Sequence, residues 1–144
     1  MMLKIHCGGD FLFTDSGYTG TLYLETDRGC FPSEDWTDFP EIVLGWWVEA
    51  VKSVFIGSVG RTYVFPFMDG PYAIRCRKGS EKLTLSFVRE STVVMPECEM
   101  TLDAFSAAIR TAMEALNRQL YLAGRADRIE PIREYLKQLD AYSL

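Results

Sequence analysis

An α+β domain is the fold class this sequence predicts: an antiparallel meander of about six strands packed by three helices, one after the N-terminal strands and two at the C-terminus. Three observations carry that expectation. Residues 61–98 hold four strand-like runs separated by the turn pairs Asp69-Gly70, Lys78-Gly79 and Glu90-Ser91. Residues 40–56 are apolar on nearly every side of a helix, with one narrow polar stripe. Residues 101–139 hold two segments with apolar side chains at helical spacing.

In chain order, Met2–Cys7 alternates apolar and polar and reads as a strand, which Gly8-Gly9-Asp10 breaks. Phe11–Phe13 reads as a short second strand or an anchored loop. Gly17–Gly20 is turn-like. Thr21–Thr26 alternates again and ends at Asp27-Arg28-Gly29. After a loop over 31–39, Asp38 and Glu41 have the spacing of a capping box, and Pro40 suits a first helical turn. Ile42, Leu44, Trp46, Trp47, Val48, Val51, Val54 and Phe55 make the helix a core element, and Gly57 and Gly60 bracket its end. The meander follows. Pro96 marks its last strand as an edge, because proline cannot donate to a ladder. Thr101 caps the next helix, whose buried face is Phe105, Ile109, Ala112, Met113, Leu116 and Leu120, and Gly124 stops it. Asp127 and Glu130 form a second capping box, with Pro131 in the first turn. Ile129, Ile132, Leu136 and Leu139 give the last helix its stripe.

The bulk numbers fit one domain spanning residues 1–144. Apolar residues at 48% and charged residues at 24% are ordinary for a globular chain. At this length about two thirds of the extended surface is buried without metal or disulfide staples. Aromatics at 13% favour a sheet with bulky cross-strand packing. No stretch reaches the roughly 18 apolar residues of a membrane span. The N-terminus lacks the apolar core of a signal peptide, so a cytoplasmic protein that does not engage membranes is expected. Cys7, Cys30, Cys76 and Cys98 are too sparse and too widely spaced for a disulfide scaffold, so reduced and mostly buried thiols are expected. A net charge of −5 argues against nucleic acid, which demands a basic face.

Catalytic signatures are missing. His6 is the sole histidine, so any Ser-His or Cys-His arrangement must use it. Its place in the first strand, opposite Leu3, Ile5 and Cys7, reads as an exposed strand residue. Neither a metal site nor a cofactor is indicated: the cysteines are scattered, and the glycine-rich pieces at Gly8-Gly9 and Gly57–Gly60 lack phosphate-binding context. Arg75, Arg77, Lys78, Lys82 and Arg89 line one face of neighbouring strands, which reads as a solvated sheet face. No catalytic residue is assigned, and a non-enzymatic protein is expected.

The asymmetric feature is acidic. Glu25, Asp27, Glu34, Asp35, Asp38, Glu41 and Glu49 are opposed only by Arg28, so residues 25–49 hold a charge of −6 while the rest of the chain is about neutral. Asp38 and Glu41 have a structural explanation at a helix N-terminus, where negative charge is favoured, and the tryptophans are most simply core. Loop carboxylates without basic neighbours are explained less well, because excess like charge opposes compactness. Carboxylates around an aromatic anchor steer a cationic partner and supply a central hot spot. The expected contact surface is therefore Asp27, Glu34, Asp35 and Asp38, with Trp36 as anchor.

The segments W-T-D-F-P (36–40), L-G-W-W (44–47) and F-M-D-G-P-Y (67–72), in a small acidic α+β chain, resemble bacterial immunity proteins of polymorphic or contact-dependent toxin systems. That resemblance implies a cytosolic inhibitor that binds one cognate toxin, expected to be basic, and blocks it stoichiometrically, with no catalytic residues carried over. Two other classes remain open. One is a small acidic secretion or assembly chaperone, which needs an exposed apolar groove and is usually a dimer. The other is a small enzyme or ligand-binding domain using the clustered carboxylates. Monomer and dimer are both compatible with the sequence.

Overall fold

A computed structural model describes residues 3–142. Its strands form two four-stranded antiparallel sheets flanked by three helices. The α+β class, the helix after the N-terminal strands and the C-terminal helix pair are as the sequence predicts. The division of the strands is different: the N-terminal strands close on themselves as a separate sheet. Alternation marks the buried face of a strand but not its partner.

The first sheet is built on a long hairpin of β1 (Leu3–Thr14) and β2 (Gly17–Thr26). Gly8-Gly9 does not break β1. Ladder pairing shifts between Gly8 and Leu12, and both glycines hold positive φ (128° and 84°), so the irregularity is a bulge. Pairing resumes through Leu12↔Thr19 to Thr14↔Gly17. The tight turn is therefore Asp15-Ser16, and Gly17–Gly20 lies inside β2. Two short strands, β3 (Gly29–Phe31) and β4 (Thr37–Asp38), pair with the other side of β2. The strand order β1-β2-β3 leaves β1 at an edge.

The second sheet is the expected meander: β5 (Thr62–Pro66), β6 (Tyr72–Lys78), β7 (Leu83–Arg89) and β8 (Thr92–Met100) in sequential order. Phe65, Ile74, Cys76, Leu85 and Phe87 point inward and are fully buried. Pro96 does lie in an edge strand.

Between the two sheets in sequence runs α1 (Pro40–Ile56). Val43, Leu44, Trp47, Val48, Val51 and Val54 are buried, and the Trp47 indole donates to the Pro66 carbonyl at 2.8 Å. Trp46 and Phe55, expected in the core, are exposed. They sit on the far side of a helix whose inward face is already filled. Phe31 joins the sheets, with ring centroids 5.7 Å from Phe67, 5.7 Å from Tyr72 and 5.2 Å from Phe87. The expected cap of α1 by Asp38 is not formed: Phe39 is the N-cap and no side chain caps it.

The other end of α1 has a cap the sequence did not announce. Lys78, at the end of β6, donates from Nζ to the carbonyls of Val54 (2.7 Å), Phe55 (3.2 Å) and Gly57 (2.9 Å). A cation on the orphan carbonyls also answers the negative end of the helix dipole. Lys78 thus leaves the basic strand face on which the sequence placed it.

Thr101 caps α2 (Leu102–Leu122) as expected, accepting from the Ala104 N–H at 3.1 Å. Asp127 does not cap α3 (Glu130–Asp140). It accepts two hydrogen bonds from Arg125, at 3.0 and 3.1 Å, within a 3-10 turn. Apolar contacts from all three helices and both sheets form one continuous core.

Lys78→Met is expected to keep the aliphatic stem and lose the cap, costing about 1 kcal/mol in stability. Chemical denaturation reads this as a lower midpoint with an unchanged slope.

Candidate protein-binding surface

The acidic segment after β3 folds around one buried carboxylate. Asp38 is 1% exposed. Its Oδ1 accepts from the backbone N–H groups of Phe39 (2.7 Å), Met68 (3.3 Å) and Asp69 (3.3 Å). Its Oδ2 accepts from the Trp36 indole at 3.0 Å and again from the Asp69 N–H at 3.2 Å. Asp38 belongs to β4 in the first sheet, and Met68-Asp69 lie in the β5–β6 turn of the second. The residue therefore fastens the two sheets together. Burial removes it from the expected contact surface, since its oxygens are committed to internal donors.

Trp36 is half-buried and held from two sides. Its ring meets Tyr72 edge-on at a centroid distance of 5.1 Å, and its Nε1 is fixed by Asp38. Glycine at position 70 leaves room for this ring, because a Cβ there would lie 3.3 Å from the indole. The anchor assigned from sequence is thus a wall of the loop.

Glu34 and Asp35 are exposed at the tip of the same loop, where Asp35 takes a left-handed backbone (φ 60°). Among the described residues neither carboxylate has a basic side chain within 4.0 Å, and the same is true of Asp27. Glu34 and Asp35 share their surroundings with Glu25, Tyr23 and Cys30. Desolvation first, and then the charges of Asp35, Glu34 and Glu25 among others, raise the Tyr23 phenol. The Cys30 thiol is raised by desolvation and then by Glu25, Glu34 and Asp35. Asp27, exposed in the β2–β3 turn, lies apart and acts on Cys98. The structure thus brings Glu34 and Asp35 together, adds Glu25, and separates Asp27 and Asp38.

Glu25 was counted in the acidic run but not placed in the surface. The signal that finds it is alternation: in Thr21–Thr26 the outward positions are Thr21, Tyr23 and Glu25. Across the ladder stand Lys4 opposite Glu25 and His6 opposite Tyr23. His6 is half-buried, not a free surface residue. It stacks on Tyr23 (4.5 Å, 13° between planes), and its Nε2 lies 2.7 Å from Glu25 Oε1.

Glu41 is diverted from the surface. Its Oε2 is 3.7 Å from Arg128, and its Oε1 is buried without a hydrogen-bond partner. Burial raises this carboxyl above its ordinary value near 4.5, against a smaller downward pull from Arg128.

No other grouping competes chemically. Among the described residues no three His, Cys, Asp or Glu side chains are placed to hold a metal ion. All four cysteines are free, and burial raises Cys7 and Cys76 to about 12, far from reactive thiolates. On the outer face of the second sheet, Arg75 and Arg77 are exposed, but Glu97 and Glu99 of β8 share that face, so no single-sign patch forms. Among the described residues no helix is long and apolar enough to cross a membrane. Compared with protein-family models, curated proteins and solved structures, the chain matches none.

Two outcomes follow from this geometry. Asp38→Ala strands four donors and is expected to cost about 3 kcal/mol, with a red-shifted Trp36 emission, whereas Glu34→Lys/Asp35→Lys stays within about 0.5 kcal/mol of the parent. Denaturation followed by fluorescence separates them. For Glu41, an acid raised in the fold carries a penalty once ionised. That penalty is complete above the raised folded value and is relieved as pH falls through it. Glu41→Gln is therefore expected to raise the melting temperature at pH 7, with the gain shrinking as the pH drops toward 4.5.

Proposed function

We propose that this chain is a non-enzymatic, protein-binding inhibitor of immunity type, acting in the cytoplasm on a cognate basic toxin. The observation that carries the reading is the free anionic loop tip: Glu34 and Asp35, exposed beside Glu25, with no basic side chain within 4.0 Å among the described residues. Like charges gathered in this way repel one another, and a cationic surface relieves the repulsion. The loop is also pre-organised. Asp38 and Trp36 fix its base, so little ordering entropy is lost on docking. Fast, salt-sensitive association is the physical consequence.

One observation favours the enzymatic alternative. The His6–Glu25 contact at 2.7 Å has the geometry of a base-and-orienter pair beside a cavity of about 190 Å³ lined by His6, Thr21, Tyr23 and Gln119 among others. Against it, the cysteine in that lining, Cys7, has its thiol raised to about 12 by burial.

The test is capture from the source lysate on the immobilised chain, alongside Glu34→Lys/Asp35→Lys. The expected result is one basic protein retained by the parent, released by high salt and lost from the double variant. Equal retention by both, or no retained basic protein, overturns the reading. Retention lost instead in His6→Asn, with turnover of a small molecule, selects the enzymatic alternative.

A further inference from the structure

The outer face of the second sheet is open, and its charges are sorted into rows. Directly paired residues of antiparallel strands point to the same side of a sheet, so the ladder fixes rungs across β6, β7 and β8. One rung is Arg77, Thr84 and Glu99. The next is Arg75 and Ser86, completed by Glu97, whose Oε2 accepts from Ser86 Oγ at 2.7 Å. The one after is apolar: Ala73, Val88 and Val93. The opposite side of the same strands is core, with Ile74, Cys76, Leu85 and Phe87 fully buried. Arg75, Arg77, Glu97 and Glu99 are exposed, and so is Val93.

The two charged rows cannot satisfy each other within one chain. β7 lies between them, so about 10 Å of sheet divides the arginines of β6 from the glutamates of β8. Among the described residues no carboxylate lies within 4.0 Å of either arginine, and no basic side chain within 4.0 Å of Glu97 or Glu99. Between the rows stand only the short hydroxyls of Thr84 and Ser86.

We infer that this face pairs with the same face of a second copy of the chain, about a twofold axis that runs along β7. Rotation about that axis exchanges left and right across the sheet and preserves position along the strands. β6 then lies over the partner's β8 on each rung. Arg77 meets the partner's Glu99, Arg75 meets the partner's Glu97, and Ala73 meets the partner's Val93. The symmetry makes every contact twice, and Thr84 and Ser86 face their own copies. Stacked sheets sit about 10 Å apart, a gap that an arginine and a glutamate span together. Their strands cross at about 30°, which side chains of this length absorb. A twofold perpendicular to the strands instead sets β6 over β6 and arginine against arginine, so the charge pattern selects one orientation. It also selects the partner. A surface of one sign meets one attracting row and one repelling row, whereas the chain's own face matches both. Three overlapping strands make a patch narrower than a standard interface. The dimer is therefore weak and salt-sensitive, with Kd on the order of 100 μM. Glu34 and Asp35 take no part in it, so its failure leaves the inhibitor reading standing.

Sedimentation equilibrium of the full-length protein, up to about 1 mM and at low and high salt, tests the inference. Arg75→Glu/Arg77→Glu reverses one row and Glu97→Arg/Glu99→Arg the other. All four positions are exposed, so melting curves are expected to match the parent. Arg75→Gln/Arg77→Gln replaces the first variant if its melting temperature falls. Each reversal alone is expected to weaken self-association about tenfold or more, and high salt to weaken the parent dimer. Mixed together, the two reversed chains are expected to form a heterodimer. The quadruple variant carrying both reversals keeps the net charge of −5 and is expected to self-associate like the parent, because every contact returns with its signs exchanged. Three results overturn the inference: a parent that stays monomeric throughout at low salt; a dimer that either reversal leaves unweakened; or a quadruple variant that stays monomeric where the parent dimerises.

Discussion

One buried carboxylate governs how the halves of this molecule meet. Asp38 gathers the Trp36 indole and three backbone N–H groups drawn from both sheets. Leaving a carboxylate in an apolar interior is expensive unless its lone pairs are filled, and four donors fill them. The energetic consequence is asymmetric. The bonds contribute modestly when made, but removing the acceptor strands donors on two elements at once. That asymmetry makes the geometry hard to relax, so the base of the acidic loop and the β5–β6 turn hold one arrangement.

The functional reading follows from what this fastening leaves outside. Asp38 and Trp36 are committed inward, and Glu41 is drawn toward Arg128. What remains at the surface is a short, rigid tip whose carboxylates have no internal counter-charge among the described residues.

The class of fold was legible because periodicity reports burial directly. The meander of residues 61–98, the cap at Thr101 and the apolar stripe of α2 all came from patterns within a few residues. The division into two sheets was not, because pairing between β2 and the short β3 and β4 depends on contacts that alternation does not encode. Asp38 shows the same limit in one residue. Its spacing from Glu41 satisfies a helix-capping pattern, yet donors about thirty residues away in the β5–β6 turn captured it. Lys78 is the counterpart at the other end of α1: a strand residue by pattern, a helix cap in space. Of the acidic residues singled out, Glu34 and Asp35 remained on the surface together because a loop tip with a left-handed residue has nothing to pack against. Glu25 was recoverable from strand alternation alone.

The most direct measurement of the Asp38 account is hydrogen exchange, resolved residue by residue, at the four donors it claims. The account requires the amides of Phe39, Met68 and Asp69 and the Trp36 indole proton to exchange as slowly as the central strands β6 and β7, although Met68 and Asp69 sit in an exposed turn. Exchange of Met68 and Asp69 at the rate of the open Glu90-Ser91 turn, with the Trp36 indole equally fast, would contradict it.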